Sequence, residues 1–235
     1  MSANASIYES GLLREACGPA LRPGGVQLTG QAVEFCRFPK GARLLDVGCG
    51  SGETVRYLRD EHGFDVSGVD ISPGLIGEGV QHDPTLTLLE ASAEALPFGE
   101  ESLDGVFCEC VLSLLHDPLK ALVEFHRVLR SGGKLILSDL YLRRTQRNSN
   151  SYQGAQGIAS REDVQGWLRA AGFDGFLLWE DHTRALQELA AKIILTHGSL
   201  ECLPGLCGGA EGKPGYYLLV TGKNVNQEAG TWIKH

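Results

Sequence analysis

The chain has 235 residues, a formal net charge of −8, and 43% hydrophobic against 21% charged residues. That length holds one large α/β domain rather than two, and the composition excludes the low-hydrophobicity, high-charge class of disordered chains. The acidic balance excludes a broad electrostatic grip on nucleic acid, so the short basic run Arg143, Arg144, Arg147 reads as a solvated loop.

In chain order, residues 6–16 and 29–37 are predicted helices, separated by the turn-rich CGPALRPGG at 17–25. ARLLDVG (42–48) is a nearly continuous apolar run, the pattern of a parallel strand covered on both faces. A helix is predicted over 53–61, a second strand over 65–70, and a further helix opening at Ser72-Pro73, a cap followed by a first-turn proline. Strands follow at 85–91, 103–110 and 133–140. Between the last two, PLKALVEFHRVLRSGG places most of its apolar residues on one helical face and is expected to end at Gly132-Gly133. The polar stretch 143–157 reads as a loop. Ser160 with Asp163 opens a helix to Gly172, a sixth strand spans 173–181, a helix 183–197, and a final strand 215–223. Alternation of strand and helix implies a parallel sheet with helices on both faces.

LLDVGCGSGE (44–53) is the most informative stretch. A strand ends at Asp46 and the chain turns through Gly48, Gly50 and Gly52 into a helix. Glycines suit a backbone that must take positive φ or approach a ligand closely. The dinucleotide fingerprint GxGxxG needs glycine at position 53, which is Glu53, so a nicotinamide oxidoreductase is disfavoured. A carboxylate beside the loop suits a ligand bearing an α-ammonium and repels a pyrophosphate. Asp70, ending the second strand, can accept both hydrogens of a ribose diol. Taken singly, each acid could equally be a helix cap or strand terminator.

With ASAEALPF (91–98), SLDGVFCECVLSLLHD (102–117) and LRSGGKLILSD (129–139), this loop resembles the class I S-adenosylmethionine-dependent methyltransferases, in particular the small-molecule branch called methyltransferase type 11. The resemblance covers about residues 42–140. It implies a Rossmann-like, doubly wound seven-stranded sheet, mostly parallel, with the last strand antiparallel and an N-terminal helical cap. The corresponding domains are a cap at 1–41, a methyltransferase domain at 42–223 in which 141–160 is a mobile loop or lid, and a tail at 224–235. It further implies that Asp46, Gly48, Cys49, Gly50 and Gly52 line the methionine and ribose, and that Asp70 and Ile71 hold the ribose and one adenine face. Ser92, Ala93 and Glu94 would meet the adenine, and Glu109 and Cys110 the methionine end. Ser92 stands where the family usually has Asp. The reaction implied is methyl transfer to a small-molecule acceptor, with S-adenosylhomocysteine as product.

The acceptor is expected above the strand ends, where Tyr8, Arg22, Glu109, Cys110, His116, Asp139 and Tyr141 are the candidate polar groups. Catalytic roles are open for Tyr141, Asp139, His116 and Cys110, each with a structural alternative: aromatic packing, a strand end, a neighbour of a helix cap, and a small core residue. CECVLSL (108–114) also resembles a segment of the arsenite methyltransferases, in which three thiolates hold a soft metalloid; Cys17, Cys110, Cys202 and Cys207 are the thiols that reading would use. Otherwise no metal is expected, since the seven cysteines are odd in number and contain no CxxC pair. No secretory leader and no membrane span are expected, which suggests a cytoplasmic setting and reduced thiols. A non-catalytic module that keeps the cofactor site stays open at this point. Oligomeric state is not legible.

Overall fold

The computed structural model describes residues 22–143, 158–197 and 213–224. Within them lie seven strands: β1 (Arg43–Val47), β2 (Asp65–Asp70), β3 (Thr87–Glu90), β4 (Leu103–Glu109), β5 (Leu129–Leu142), β6 (Gly175–Asp181) and β7 (Pro214–Gly222). The helices are α1 (Gly25–Cys36), α2 (Glu53–His62), α3 (Pro73–His82), α4 (Pro118–Val128), α5 (Arg161–Ala170) and α6 (Thr183–His197), with a single 3₁₀ turn at Leu112–Leu114. The strands form one sheet in the order β3-β2-β1-β4-β5-β7-β6. β1 to β5 run parallel, and β7 inserts antiparallel between β5 and β6. This is the Rossmann-like sheet expected from the alternation of elements.

Central strands are mostly apolar because both faces are covered: every residue of β4 is buried, the charged Asp104 and Glu109 near its two ends included. Leu28, Ala32 and Cys36 on α1, with Val55 and Leu58 on α2 and Leu186 on α6, pack with Leu44, Phe107, Ile136 and Leu218 on one face. On the other, Ala121, Leu122, Phe125 and Val128 of α4 and Val164 and Leu168 of α5 pack with Leu45, Val47, Val106 and Leu137. Fully burying each such aliphatic side chain contributes about 1.5–3 kcal/mol. No helix among the described residues is long and apolar enough to cross a membrane.

Two of the element boundaries that differ from expectation have a clear physical reason. α1 begins at Gly25, inside the stretch read as a break, because Gly24 takes the left-handed cap conformation (φ 76°) and the helix starts immediately behind it. α4 ends at Val128 rather than at the glycine pair. Leu129 is fully buried and already paired with Leu103, and Gly132 and Gly133 exchange backbone hydrogen bonds with Lys223. Sheet pairing here satisfies the backbone that a continued helix would have used. Ser160 and Asp163 form the capping box read from the sequence, and Ser72 caps α3. The predicted helix at 6–16, Tyr8, Cys17, Cys202, Cys207, residues 144–157 of the expected lid and all but the first residue of the tail lie outside the described residues.

Candidate active site

β1 and β4 are adjacent, with Asp46 beside Phe107 and Val47 beside Cys108. The chain leaving β1 enters α2 on one face of the sheet, and the chain leaving β4 reaches α4 on the other. Their departures diverge and leave a crevice above the carboxyl ends of the two strands, the usual ligand position in open α/β sheets.

The glycine loop forms the wall of this crevice. Gly48, Gly50 and Gly52 all have positive φ (73°, 54° and 84°). Four of the loop's amides are spent within the protein: Gly48 and Cys49 donate to the Val69 carbonyl of β2, Gly50 to Asp70 Oδ2 at 2.8 Å, and Gly52 to the Cys49 carbonyl. A loop tied to the neighbouring strand in this way is a surface for close approach, unlike the open nest of N–H groups that cradles a phosphate. A β-carbon on Gly50 would meet nothing nearer than Leu75 Cδ1 at 4.0 Å, so the backbone there faces open space. The Cys49 side chain turns the other way, into the core against Gly68; burial and Asp46 push its thiol well up.

Asp70 bridges two turns, its Oδ1 accepting from Ser72 N–H at 2.9 Å while Oδ2 holds Gly50. Next to it Ile71 is 75% exposed, a large apolar side chain left in water just past the end of β2. The 92–98 segment is clamped from below: Leu96 N–H donates to Glu124, and Arg127 donates to the Leu96 and Phe98 carbonyls. Ala93 and Leu96 are buried. Ser92 Oγ accepts from Glu94 N–H, and Glu94 faces Lys120 and the Asp117 amide.

The floor holds a buried ionic cluster that sequence reading only partly found. Arg22 Nη2 lies 2.8 Å from Glu109 Oε2, and the Thr29 hydroxyl reaches both Glu109 oxygens at 3.1 and 3.2 Å while accepting from Arg22. Arg22 Nε is buried without a partner. Asp46 is 3% exposed, and burial, with Glu109 close by, pushes its carboxyl up to about 8. Arg22 was a candidate polar group at the acceptor, with a surface arginine as the alternative, and Glu109 was expected at the methionine end. The structure joins them, and adds Thr29, Thr54 and Ser138 around Glu109. These three have no sequence signature; they meet through pairings far apart in the chain.

Cys110 sits in the left-handed region (φ 59°), unusual for a residue with a side chain and tolerated where surroundings over-determine it. Its thiol lies 3.1 Å from the Tyr216 hydroxyl, which donates to Ser138 Oγ at 3.1 Å; burial pushes the thiol well up. Asp139 accepts from Ser113 N–H, Ser113 Oγ and Leu140 N–H, so it ties the 3₁₀ turn to β5. The Tyr141 hydroxyl donates to Asp181, and its ring packs edge-on to Trp179 and Tyr217. His116 is exposed beside Asp117, the α4 cap. Of the thiols considered for a metalloid, only Cys110 is described, and no group of three His, Cys, Asp or Glu side chains that could hold a metal converges among the described residues.

The glycine loop, Asp70, the 92–98 segment and Glu109 fall within the stretch by which the chain is related to known proteins. Residues 45–137 match the family described as "Methyltransferase domain". That stretch, from β1 into β5, is what the chain shares with methyltransferases, and its seven-stranded sheet is the Rossmann-like fold of that class. Over 99 residues it is 36% identical to a demethylmenaquinone methyltransferase of Renibacterium salmoninarum, covering 42% of this chain and 41% of that protein. Over 148 residues it is 32% identical to the O-methyltransferase resE of Aspergillus sclerotiorum, covering 57% and 55%. The chain thus spans about half the length of the curated relatives it matches. Phosphoethanolamine N-methyltransferase 2 of Haemonchus contortus, solved with S-adenosyl-L-methionine, superposes with a TM-score of 0.74 at 21% identity, over 95% of this chain and 58% of that one. The cyclase SpnF superposes at 0.75 with 21% identity over 95% of both chains. Those two likenesses concern the fold alone, which serves more than one chemistry.

Proposed function

We propose that this protein transfers the methyl group of S-adenosylmethionine to a small-molecule acceptor by in-line displacement, in the cytoplasm, with residues 42–223 as the catalytic domain. The observation that carries the reading is the pair of acids at the ends of β1 and β2, Asp46 and Asp70, flanking a glycine loop hydrogen-bonded to β2 whose Gly50 faces open space. In this reading Asp46 and Glu109 hold the α-ammonium, Asp70 the ribose diol, Ile71 one adenine face, and the 92–94 segment the adenine edge. The bound cofactor supplies an electrophilic methyl carbon. The protein's task is then to orient the acceptor and exclude water. Three of the four candidates for a catalytic role are engaged otherwise: Asp139 by the 3₁₀ turn, Tyr141 by Asp181, and the Cys110 thiol is held protonated by burial, while His116 is exposed beside the α4 cap. An acceptor that arrives ionised or as a neutral amine needs no such base. The named relatives include O-methyltransferases, which favours an oxygen acceptor of small size.

Calorimetric titration with S-adenosylhomocysteine tests the cofactor half, with loss of binding expected in Asp70→Ala. Methyl transfer from labelled cofactor to a panel of phenols, carboxylic acids and thiols tests the acceptor half. Failure to bind S-adenosylhomocysteine, with NAD bound instead, would overturn the proposal.

A further inference from the structure

A hydroxyl has a single hydrogen to give, so the polar chain behind Glu109 can be followed donor by donor. On the helix side Arg22 donates to Thr29 Oγ1, and Thr29 donates in turn to the Glu109 carboxylate, which also lies 2.8 Å from Arg22 Nη2. On the sheet side Ser138 stands beside Glu109 in the register of β5 on β4 and donates to the same carboxylate. That spends the one hydrogen of the Ser138 hydroxyl, so the 3.1 Å bond between Ser138 Oγ and Tyr216 Oη takes its hydrogen from Tyr216. The phenol has then given its own, and the 3.1 Å bond between Tyr216 Oη and Cys110 Sγ takes its hydrogen from the thiol. The Cys110 amide closes the ring by donating to the Ser138 carbonyl at 2.7 Å. Tyr216 and Ser138 are fully buried, so bulk water does not compete for these groups.

Tyr216 and Ser138 lie outside residues 45–137, the stretch shared with methyltransferases, and Tyr216 reaches the crevice because β7 inserts beside β5. We propose that Tyr216 is a positioning residue for the cofactor: by donating to Ser138 it makes the Ser138 hydroxyl aim at Glu109, and so holds the Glu109 carboxylate turned to the α-ammonium of the bound nucleoside. The proposal rests on the cofactor reading above, in which Asp46 and Glu109 hold that ammonium. Without the Tyr216 hydroxyl the Ser138 rotor is free to turn among its staggered positions, and the carboxylate keeps its firm ties only to Arg22, Thr29 and Thr54. The groups read as holding ribose and adenine, Asp70 and the 92–94 segment, are bonded elsewhere, to Gly50, Ser72 and Lys120. The influence of Tyr216 is therefore confined to the amino-acid end of the ligand.

The test is calorimetric titration of the full chain with S-adenosylhomocysteine and with 5′-methylthioadenosine, which keeps the nucleoside and thioether and lacks the amino-acid group. In Tyr216→Phe the Kd for S-adenosylhomocysteine should rise about five- to tenfold, and that for 5′-methylthioadenosine should change by less than about twofold. Ser138→Ala should show the same split, and the double variant should bind no more weakly than Ser138→Ala alone, because the two hydroxyls act through one chain. Should Tyr216→Phe not fold, Ser138→Ala decides, since the proposal runs through that hydroxyl. Weakening of both ligands alike would make Tyr216 a structural residue and overturn the proposal, as would an unchanged Kd for S-adenosylhomocysteine; either result leaves the cofactor reading standing. No binding of S-adenosylhomocysteine by the unaltered protein overturns both.

Discussion

Two alanine substitutions two residues apart along the same loop should fail in opposite ways. Gly48 and Gly50 both have positive φ, so either substitution carries a left-handed penalty of about 1–2 kcal/mol. At Gly48 a β-carbon would also fall inside contact with Val111 Cγ2 and lie 3.2 Å from Val111 Cβ and Cγ1, forcing a side chain packed on the core to move. Overpacking of that kind costs about 1–3 kcal/mol. Gly48→Ala should therefore destabilise by about 2–5 kcal/mol, and Gly50→Ala by only the smaller strain term. Gly50→Ala places its methyl where the loop faces open space, and should weaken S-adenosylhomocysteine binding by at least about tenfold, or 1.4 kcal/mol. Urea unfolding reads the first effect as a fall in midpoint at constant m, and calorimetry reads the second. Combining Gly48→Ala with Val111→Ala should recover the steric part, about 1–2 kcal/mol of coupling, while the strain persists. A Gly48→Ala protein as stable as the parent, or a double variant with no recovery, would refute the close-packing account.

The pH dependence of stability follows from Asp46. Its carboxyl is raised in the folded state, so between about pH 4 and 8 the native protein holds a proton that the unfolded chain has released, and stability falls as pH rises across that window. Asp46→Asn should remove this slope and stabilise the ligand-free protein at pH 8 by about 1–3 kcal/mol, measured by denaturant titration at several pH values. Ile71→Ala, at a side chain left largely in water, should leave the unfolding midpoint within about 0.5 kcal/mol of the parent while raising the Kd for S-adenosylhomocysteine about five- to tenfold. Tyr141→Phe deletes a hydroxyl bonded to Asp181 and should cost about 1 kcal/mol of stability with methyl transfer retained; loss of turnover at unchanged stability would instead make it a catalytic residue.

Local chemistry was enough to find most of the scaffold. Every strand read from an apolar run is present, since residues in a sheet covered on both faces must be apolar one after another, and Ser72 and Ser160 cap the helices they were read to open. The glycine loop was legible because positive φ and close approach restrict the residue type at each position. The end of α4 was not. Val128, Leu129 and the glycine pair read as a helix running into its terminator, and the pairing of Leu129 with Leu103 across the sheet outweighs that local preference.

The site divides along the same line. Asp46, Asp70 and the glycines were found in one short stretch of chain and the end of the next strand, where spacing alone carries the information. That Arg22 and Thr29 bind Glu109, that Ser138 and Tyr216 connect it with Cys110, and that Asp139 is spent on Ser113 could be learned only from the folded chain. A hydrogen bond across eighty positions leaves no periodicity to read, because its partners are chosen by strand order and burial. Sequence thus determined where the chain turns through glycines between β1 and α2, and tertiary structure decided which charges are buried beside that turn.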